Sequence, residues 1–287
     1  MKVLIAGAAG QLGRALQRTA PESATLVAPS EADFDILDQA RVDEVIAAVR
    51  PDLVVNAAAY TAVDQAESDE ERAHAVNATA AGTLAAAAAE AGARFVHIST
   101  DFVFNGKSAL PYRPDSAPDP LGAYGRTKLA GERLVAKAHP SALILRTAWV
   151  YAAEGRNFVR TMLKLMAERT EIRVVADQIG TPTHAASLAR AVWALDSAGA
   201  HGLYHWTDAG VASWYDFAVA IHEEALALGL LSLPVSVVPI DASAYPTPAR
   251  RPHMGVLDKS GSWAITGPAA HWRQELRLAL KELKERN

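Results

Sequence analysis

The sequence predicts an α/β protein: a doubly wound parallel sheet followed by a smaller C-terminal α/β lobe. Three observations predict it. Short apolar runs alternate with helical patterns through the first half, which implies parallel strands joined by crossover helices. A glycine-rich turn stands between the first run and the first helix. Beyond Tyr151 the alternation loses its regularity.

Lys2–Ala6 is a short apolar run that ends in glycines, and a helical pattern occupies 11–19. Residues 24–28 read as a second strand, and 39–50 as a helix closed by Pro51, which cannot continue one. Leu53–Asn56 is the third strand, and the alanine-rich stretch 71–91 is a long helix stopped at Gly92. Then come a strand over 94–99, a helix over 122–137 and a fifth strand over 142–147. In the second half 157–169 is an amphipathic helix, 173–175 is expected as a sixth strand, 185–196 is helical and Gly202–His205 is a short strand. Ser213 is placed to cap a helix over 214–228. A strand over 235–240, a proline-rich loop over 244–252 and a charged amphipathic helix over 272–286 complete the chain.

The 287 residues are half hydrophobic and 21% charged, the composition of an ordinary soluble globule. A net charge of −4 offers no basic footprint for nucleic acid or a membrane surface. No stretch approaches the roughly 20 apolar residues of a membrane span. The chain has no cysteine, which excludes disulfides, thiolate zinc sites and thiol nucleophiles and fits a reducing cytoplasm, the expected location. The opening apolar run looks like a signal peptide only until Gly7 interrupts it. The sequon at Asn77-Ala78-Thr79 is therefore expected to be a chance match.

Gly7-Ala8-Ala9-Gly10-Gln11-Leu12-Gly13 lies between the first strand and the first helix. Glycines there permit a tight turn and close backbone approach to a pyrophosphate, whose charge the helix N-terminus stabilises. Position after a strand and before a helix makes this a dinucleotide-binding turn of Rossmann type. The GxxGxxG spacing points to a short-chain nucleotide fold. The second strand ends at Pro29-Ser30-Glu31, with no acid at its immediate tip to hold a ribose 2′-hydroxyl and repel a 2′-phosphate. Ser30 leaves room for that phosphate and Arg14 is a candidate neighbour, so NADPH is favoured, with NADH the alternative. Asp35-Ile36 falls where an adenine edge is contacted, or is a loop Asp beside a core Ile.

Tyr124-Gly125-Arg126-Thr127-Lys128 sets a phenol and an ammonium one turn apart on a helix face. A free tyrosine has a pKa of about 10, so ionising it at neutral pH costs about 4 kcal/mol. A lysine cation nearby lowers that cost and suits the pair to proton transfer onto a nascent alkoxide. Other spacings carry no chemistry. Gly106-Lys107-Ser108 lacks the first glycine of a phosphate loop. His201 and His205 lie along a strand, too far apart to share a metal.

Further segments narrow the reading. They are Asn56–Asp64 (NAAAYTAVD), Ser99–Phe104 (STDFVF), Tyr124–Glu132 (YGRTKLAGE), Arg146–Tyr151 (RTAWVY), Asp177–Thr183 (DQIGTPT), Gly202–His205 (GLYH) and Ala244–Pro252 (AYPTPARRP). In this order they resemble the dTDP-4-dehydrorhamnose reductase family of extended short-chain dehydrogenase/reductases, from residue 2 to about 260. The resemblance implies a dinucleotide-binding domain over 1–150, with about 172–206 returning to it. A lobe over 151–287 would be mainly substrate-binding, built from 151–171 and 207–287. It implies reduction of the C4 ketone of dTDP-4-dehydro-L-rhamnose by NADPH.

By the same resemblance Thr100, Tyr124 and Lys128 are the catalytic set. Tyr124 would donate the proton, Thr100 would bond the same oxygen, and Lys128 would hold the nicotinamide ribose and lower the Tyr124 pKa. Gly7, Gly10, Gln11, Leu12, Gly13, Ser30, Asp35, Ile36, Ala58, Ala59, Tyr60 and Thr61 would line the cofactor together with Tyr124 and Lys128. Thr100, Asp101, Trp149 and Arg251 would meet the substrate. Three of these keep second readings: Asp101 as a turn cap, Trp149 as core and Arg251 as a surface charge. Asn77 either positions Lys128 through a water or bonds locally.

Phe102 stands where related sugar-nucleotide 4,6-dehydratases carry a Glu, and it cannot move a proton, which argues against dehydration. Some family members hold a metal at a dimer interface through two glutamates; here those positions are Ala15 and Ala186, so no such metal is expected, and the chain is a monomer or homodimer. His253-Met254-Gly255 departs from the family's usual residues and leaves another dTDP-4-keto-deoxysugar as the rival substrate. A non-catalytic nucleotide-binding regulatory subunit is the alternative of another class, since relatives of this fold include one. The intact Thr100, Tyr124 and Lys128 argue for an enzyme.

Overall fold

The structure, a computed structural model, describes residues 1–286. Its centre is a six-stranded, wholly parallel sheet. The first five strands in the chain are β1 (Lys2–Ala6), β2 (Thr25–Val27), β3 (Leu53–Asn56), β4 (Arg94–Thr100) and β5 (Leu143–Thr147). The strand Gly202–His205 is the sixth, and the spatial order is Gly202–His205, β5, β4, β3, β1, β2. Val3–Ala6 and Leu53–Val55 have no exposure, as strands covered on both faces require.

Two hydrophobic cores cover the sheet. Helices α1 (Gln11–Arg18) and Ala185–Ser197 close one face, through Leu12, Leu16, Leu188 and Val192. On the other face lie α2 (Gln39–Val49) and the helices Ala80–Glu90 and Ala123–Ala138, through Val42, Ile46, Leu84 and Val135. The chain reverses its direction of strand addition between β1 and β3. That switch point, at the carboxyl ends of the strands, is where this architecture binds ligands.

A third core builds the C-terminal part from the helices Phe158–Glu168, Trp214–Ala227 and Trp272–Arg286, around Met162, Phe217, Ile221 and Leu276. Ser213 caps Trp214–Ala227 in a reciprocal capping box with Asp216. The expected sixth strand at 173–175 does form, as Glu171–Val175, but it pairs in parallel with Ser236–Ile240 outside the main sheet. Its residues alternate between exposed and buried, with Ile172 and Val174 in the third core. A strand with one apolar face suits that position, and the sixth place in the main sheet goes to Gly202–His205.

The long helix expected over 71–91 is interrupted. It runs as Glu70–His74, a π turn over Ala75–Thr79 and then Ala80–Glu90. The cause is Asn77. Its Oδ1 accepts from the Tyr60 amide (2.9 Å), and its Nδ2 donates to the Tyr60 carbonyl and to Thr127 Oγ1 (both 3.1 Å). Single π turns of this kind concentrate at functional sites. Gly131 makes the contact possible, because a Cβ there would stand 2.0 Å from the Asn77 carbonyl oxygen. Gly131→Ala is expected to lower stability by about 1–3 kcal/mol through overpacking, measured by urea unfolding. Among the described residues no helix is long and apolar enough to cross a membrane.

Candidate active site

The β1–α1 turn is built by close packing. Gly7 has φ +76°, and a Cβ on it would lie 2.5 Å from the Ala58 nitrogen, two residues beyond β3. A Cβ on Gly13 would lie 2.2 Å from the Gly7 carbonyl, so α1 is seated directly on the turn. The Gly10 amide donates to the Gly7 carbonyl (3.0 Å), and the intrahelical pattern resumes with Arg14. The amides of Gln11, Leu12 and Gly13 have no backbone acceptor among the described residues. They are the unsatisfied donors of a helix N-terminus, suited to an anion. Leu12 can serve such an anion only through its amide, because its side chain belongs to the core. Gln11 turns its side chain to the second half of the chain, where Oε1 accepts from Asn157 Nδ2 (2.8 Å).

A cleft of about 250 Å³ opens beside this turn. It gathers Gly7, Gly10, Ser30, Asp35, Ile36, Ala58 and Ala59 from the predicted set. Among the lining residues that sequence reasoning missed are Phe34 and Arg72. The Arg14 expectation fails: its guanidinium pairs with Glu154 (3.1 Å), while Arg72 is the cation in the cleft. Glu154 also takes Arg18 and Arg286, so Arg14 is engaged by a carboxylate from a distant part of the sequence and does not line the cleft. Tyr60 and Thr61 continue the chain beyond the cleft. Tyr60 is held by Asn77 and packs with Tyr124 around Ala66, Ala73 and Ala123, and Thr61 is exposed.

Thr100 ends β4 and caps a single 3₁₀ turn, Asp101–Val103. Its hydroxyl donates to Asp101 Oδ1 (3.0 Å) and accepts from the Phe102 amide (3.1 Å). The helix Ala123–Ala138 starts against this turn, since a Cβ on Gly125 would lie 2.2 Å from the Phe102 carbonyl. That packing brings Tyr124 to Thr100. The Phe102 ring meets the Tyr124 ring edge-on at 5.4 Å and 76°, so Phe102 fixes the phenol as well as lacking a proton to exchange.

The expected assistance of Lys128 to the phenol is absent from this geometry. Burial pushes Tyr124 up to about 12; the Thr100 hydroxyl opposes this and the Asp101 charge adds to it. Lys128 instead donates to the Ile98 carbonyl (2.7 Å) with only 2% of its surface exposed. Burial lowers it to about 8, with Glu132 pulling the other way. One helical turn sets the two residues on one face, but the long lysine stem folds beneath the end of β4 to satisfy a carbonyl. Glu132 is itself neutralised by a buried bidentate pair with Arg146 (2.7 and 2.8 Å) and accepts from Ser99 Oγ.

Asp101 is 1% exposed and burial raises its carboxyl to about 7, the Thr100 bond offsetting part of the rise. Its Oδ2 has no partner and faces Gly255, where a Cβ would come within 2.6 Å. The turn-cap role therefore falls to Thr100, and Asp101 presents an open acceptor. Arg251, expected at a diphosphate, is bonded by both oxygens of Asp64 (3.0 and 2.7 Å) and ties the proline-rich loop to the segment after β3. Trp149 leaves the end of β5 two residues beyond Thr147, the register partner of Thr100. It is half-buried with φ +49°. Asn77 bonds Tyr60 and Thr127 directly.

Residues 1–285 match the family model described as the RmlD substrate binding domain. A dTDP-4-dehydrorhamnose reductase from Burkholderia thailandensis is 43% identical, the alignment covering 99% of each chain. Among solved structures, a dTDP-4-dehydrorhamnose reductase from Clostridium acetobutylicum superposes with a TM-score of 0.93 at 38% identity, over 99% of this chain and all of that one. The enzyme of the same name from Bacillus anthracis, crystallised with NADP, gives a TM-score of 0.93 at 36% identity over 98% of this chain and 99% of its own.

Proposed function

Because the chain belongs to the dTDP-4-dehydrorhamnose reductase family, we propose that it reduces the C4 ketone of dTDP-4-dehydro-L-rhamnose to dTDP-L-rhamnose with NADPH. The observation that carries this reading is the meeting of Thr100 and Tyr124 at the carboxyl end of β4, in the same parallel sheet whose β1 ends in the glycine turn. The turn fits a dinucleotide: three free amides stand at the α1 N-terminus, and Gly7 and Gly13 are seated too closely for any side chain. NADPH, when bound, supplies the hydride. Gln11, Leu12 and Gly13 would hold its pyrophosphate, with Ser30, Asp35 and Ile36 toward its adenosine end.

At neutral pH a phenol held near 12 is fully protonated, the state a donor needs. An alkoxide has a basicity near that of hydroxide, whose conjugate acid has a pKa of about 15.7. Proton transfer from Tyr124 to the oxygen at C4 is therefore downhill once that charge has formed. For Thr100 to bond the accepting oxygen as well, its hydroxyl proton would turn from Asp101 Oδ1 to that oxygen. Asp101 Oδ2 offers an acceptor to a sugar hydroxyl, and Lys128, still largely cationic at neutral pH, serves the ribose side. In this reading residues 151–171 and 207–286 would supply most of the wall on the sugar-nucleotide side, and a chain without cysteine fits a reducing cytoplasm as the location.

The Gly255–Asp101 contact favours one rival, a reductase of another dTDP-4-keto-deoxysugar, since the segment that departs from the family's usual residues touches the site. Incubation with NADPH and dTDP-4-dehydro-L-rhamnose is expected to consume the nicotinamide absorbance and release dTDP-L-rhamnose, identified by mass spectrometry and chromatography. No oxidation with any dTDP-4-keto sugar would end the enzymatic reading. Oxidation only with a different ketosugar would move the assignment to that sugar.

A further inference from the structure

Trp149 sits in a backbone region that a bulky residue enters only when its surroundings hold it there. The surroundings are specific. The Trp214 indole lies on the Trp149 indole with ring centroids 3.5 Å apart and planes 6° from parallel. It is the only stacked pair of tryptophan rings among the described residues. Phe158 supports Trp214 at 4.7 Å, and the capping box at Ser213 fixes the start of the helix that carries it. Gly180 closes in on the same indole: a Cβ there would be 2.6 Å from Trp149 Cε2. The Trp149 carbonyl accepts from the Thr183 amide (3.1 Å).

Two backbone routes link this assembly to the reacting centre. Through β5, Trp149 stands two residues from the partner of Thr100. Through Ile179, which exchanges backbone bonds with His253 and Gly255, the Gly180 segment adjoins the residue that faces Asp101. Both indoles are half-buried and pack on the edge of the third core, so part of the stack's surface stays open.

We infer that Trp214 is a positioning residue for the sugar nucleotide, acting through Trp149 by holding its indole against the sugar site. The inference rests on the proposed reduction of a sugar nucleotide at Thr100 and Tyr124. Trp214 itself touches no reacting atom. Loss of the stack releases Trp149 from its strained backbone and weakens binding of the sugar nucleotide, while hydride and proton transfer keep their geometry.

The test uses the full chain and four variants: Trp149→Phe, Trp214→Ala, Trp214→Phe and Gly180→Ala. Two stacked indoles give an exciton couplet in far-ultraviolet circular dichroism. The wild type is expected to show it without any ligand, and the two Trp214 variants and Trp149→Phe are expected to lose it. In Trp214→Ala the KM for the sugar nucleotide should rise roughly three- to tenfold, the range set by one aromatic pair. Its kcat and its KM for NADPH should stay near wild type. Trp214→Phe should recover most of that affinity without the couplet, because a phenyl ring still stacks. Gly180→Ala should raise the same KM by displacing Trp149 while leaving Trp214 intact.

A wild type without the couplet overturns the stack. Unchanged sugar-nucleotide KM in Trp214→Ala and Gly180→Ala overturns the positioning role, and so does an equal loss in kcat and both KM values. A wild type that shows the couplet but turns over no ketosugar overturns the proposed function and with it the positioning role, leaving the stack itself established.

Discussion

Tyr124→Phe is expected to lower kcat about a hundred- to ten-thousandfold, the usual contribution of a positioned general acid. Both KM values should stay near wild type. The argument is local. The Phe102 ring packs against the tyrosine ring and not its hydroxyl, so a phenyl ring keeps that contact. Thr100 retains its bonds to Asp101 and to the Phe102 amide when the phenol is gone. What disappears is the proton that neutralises the C4 alkoxide. Steady-state kinetics with NADPH and the ketosugar, beside a thermal melt showing an intact fold, would check it. Near-wild-type kcat in the variant would remove Tyr124 from the role. A phenol near 12 also means that its ionisation should leave no fall in rate on the basic side below about pH 10.

The parts of this molecule that local chemistry determines were legible in the sequence. Lys2–Ala6 followed by Gly7 could only be a buried strand leading into a tight turn, and the structure adds why each glycine stands there. The Ser213 cap and the Trp272–Arg286 helix read equally well, because capping and amphipathic periodicity are short-range properties. Long-range partners were not legible. Nothing in the alanine-rich 71–91 stretch announces a π turn; Tyr60, Thr127 and Gly131 impose it on Asn77 from elsewhere in the chain. Arg14 met Glu154 instead of the cleft for the same reason. Helical spacing brought Tyr124 and Lys128 onto one face but could not say where a flexible stem would end. Neither Trp149 nor Trp214 carries a sequence signal for the other, so the stack belongs wholly to the tertiary structure.

Lys128→Met is expected to make the protein more stable and the enzyme much slower. The ammonium is buried with a pKa of about 8 against 10.5 for an ordinary lysine. A lowered folded value means that burial of the charge opposes folding, and the difference corresponds to about 3 kcal/mol at most. Loss of the bond to the Ile98 carbonyl returns about 1 kcal/mol of that. A net gain of about 1–2 kcal/mol follows for a side chain of similar length without the charge. The sign with pH is fixed. Below about 8 the lysine is charged in both folded and unfolded chains, and the cost is fully present. Between about 8 and 10.5 the folded lysine is neutral while the unfolded one still binds its proton, so wild-type stability rises with pH. The advantage of the variant should therefore be largest at neutral pH and shrink toward pH 10.5. Turnover should move the opposite way, falling roughly a hundredfold or more if the cation holds the ribose side of the site. Urea unfolding across pH 7–10 beside kcat at neutral pH would read both. A variant that is less stable at neutral pH, or equally active, would show that Lys128 is a structural partner of Ile98 and no more. A gain in stability with a loss of rate would mean that the fold carries a buried cation at its own cost, the pattern expected of a group kept for chemistry.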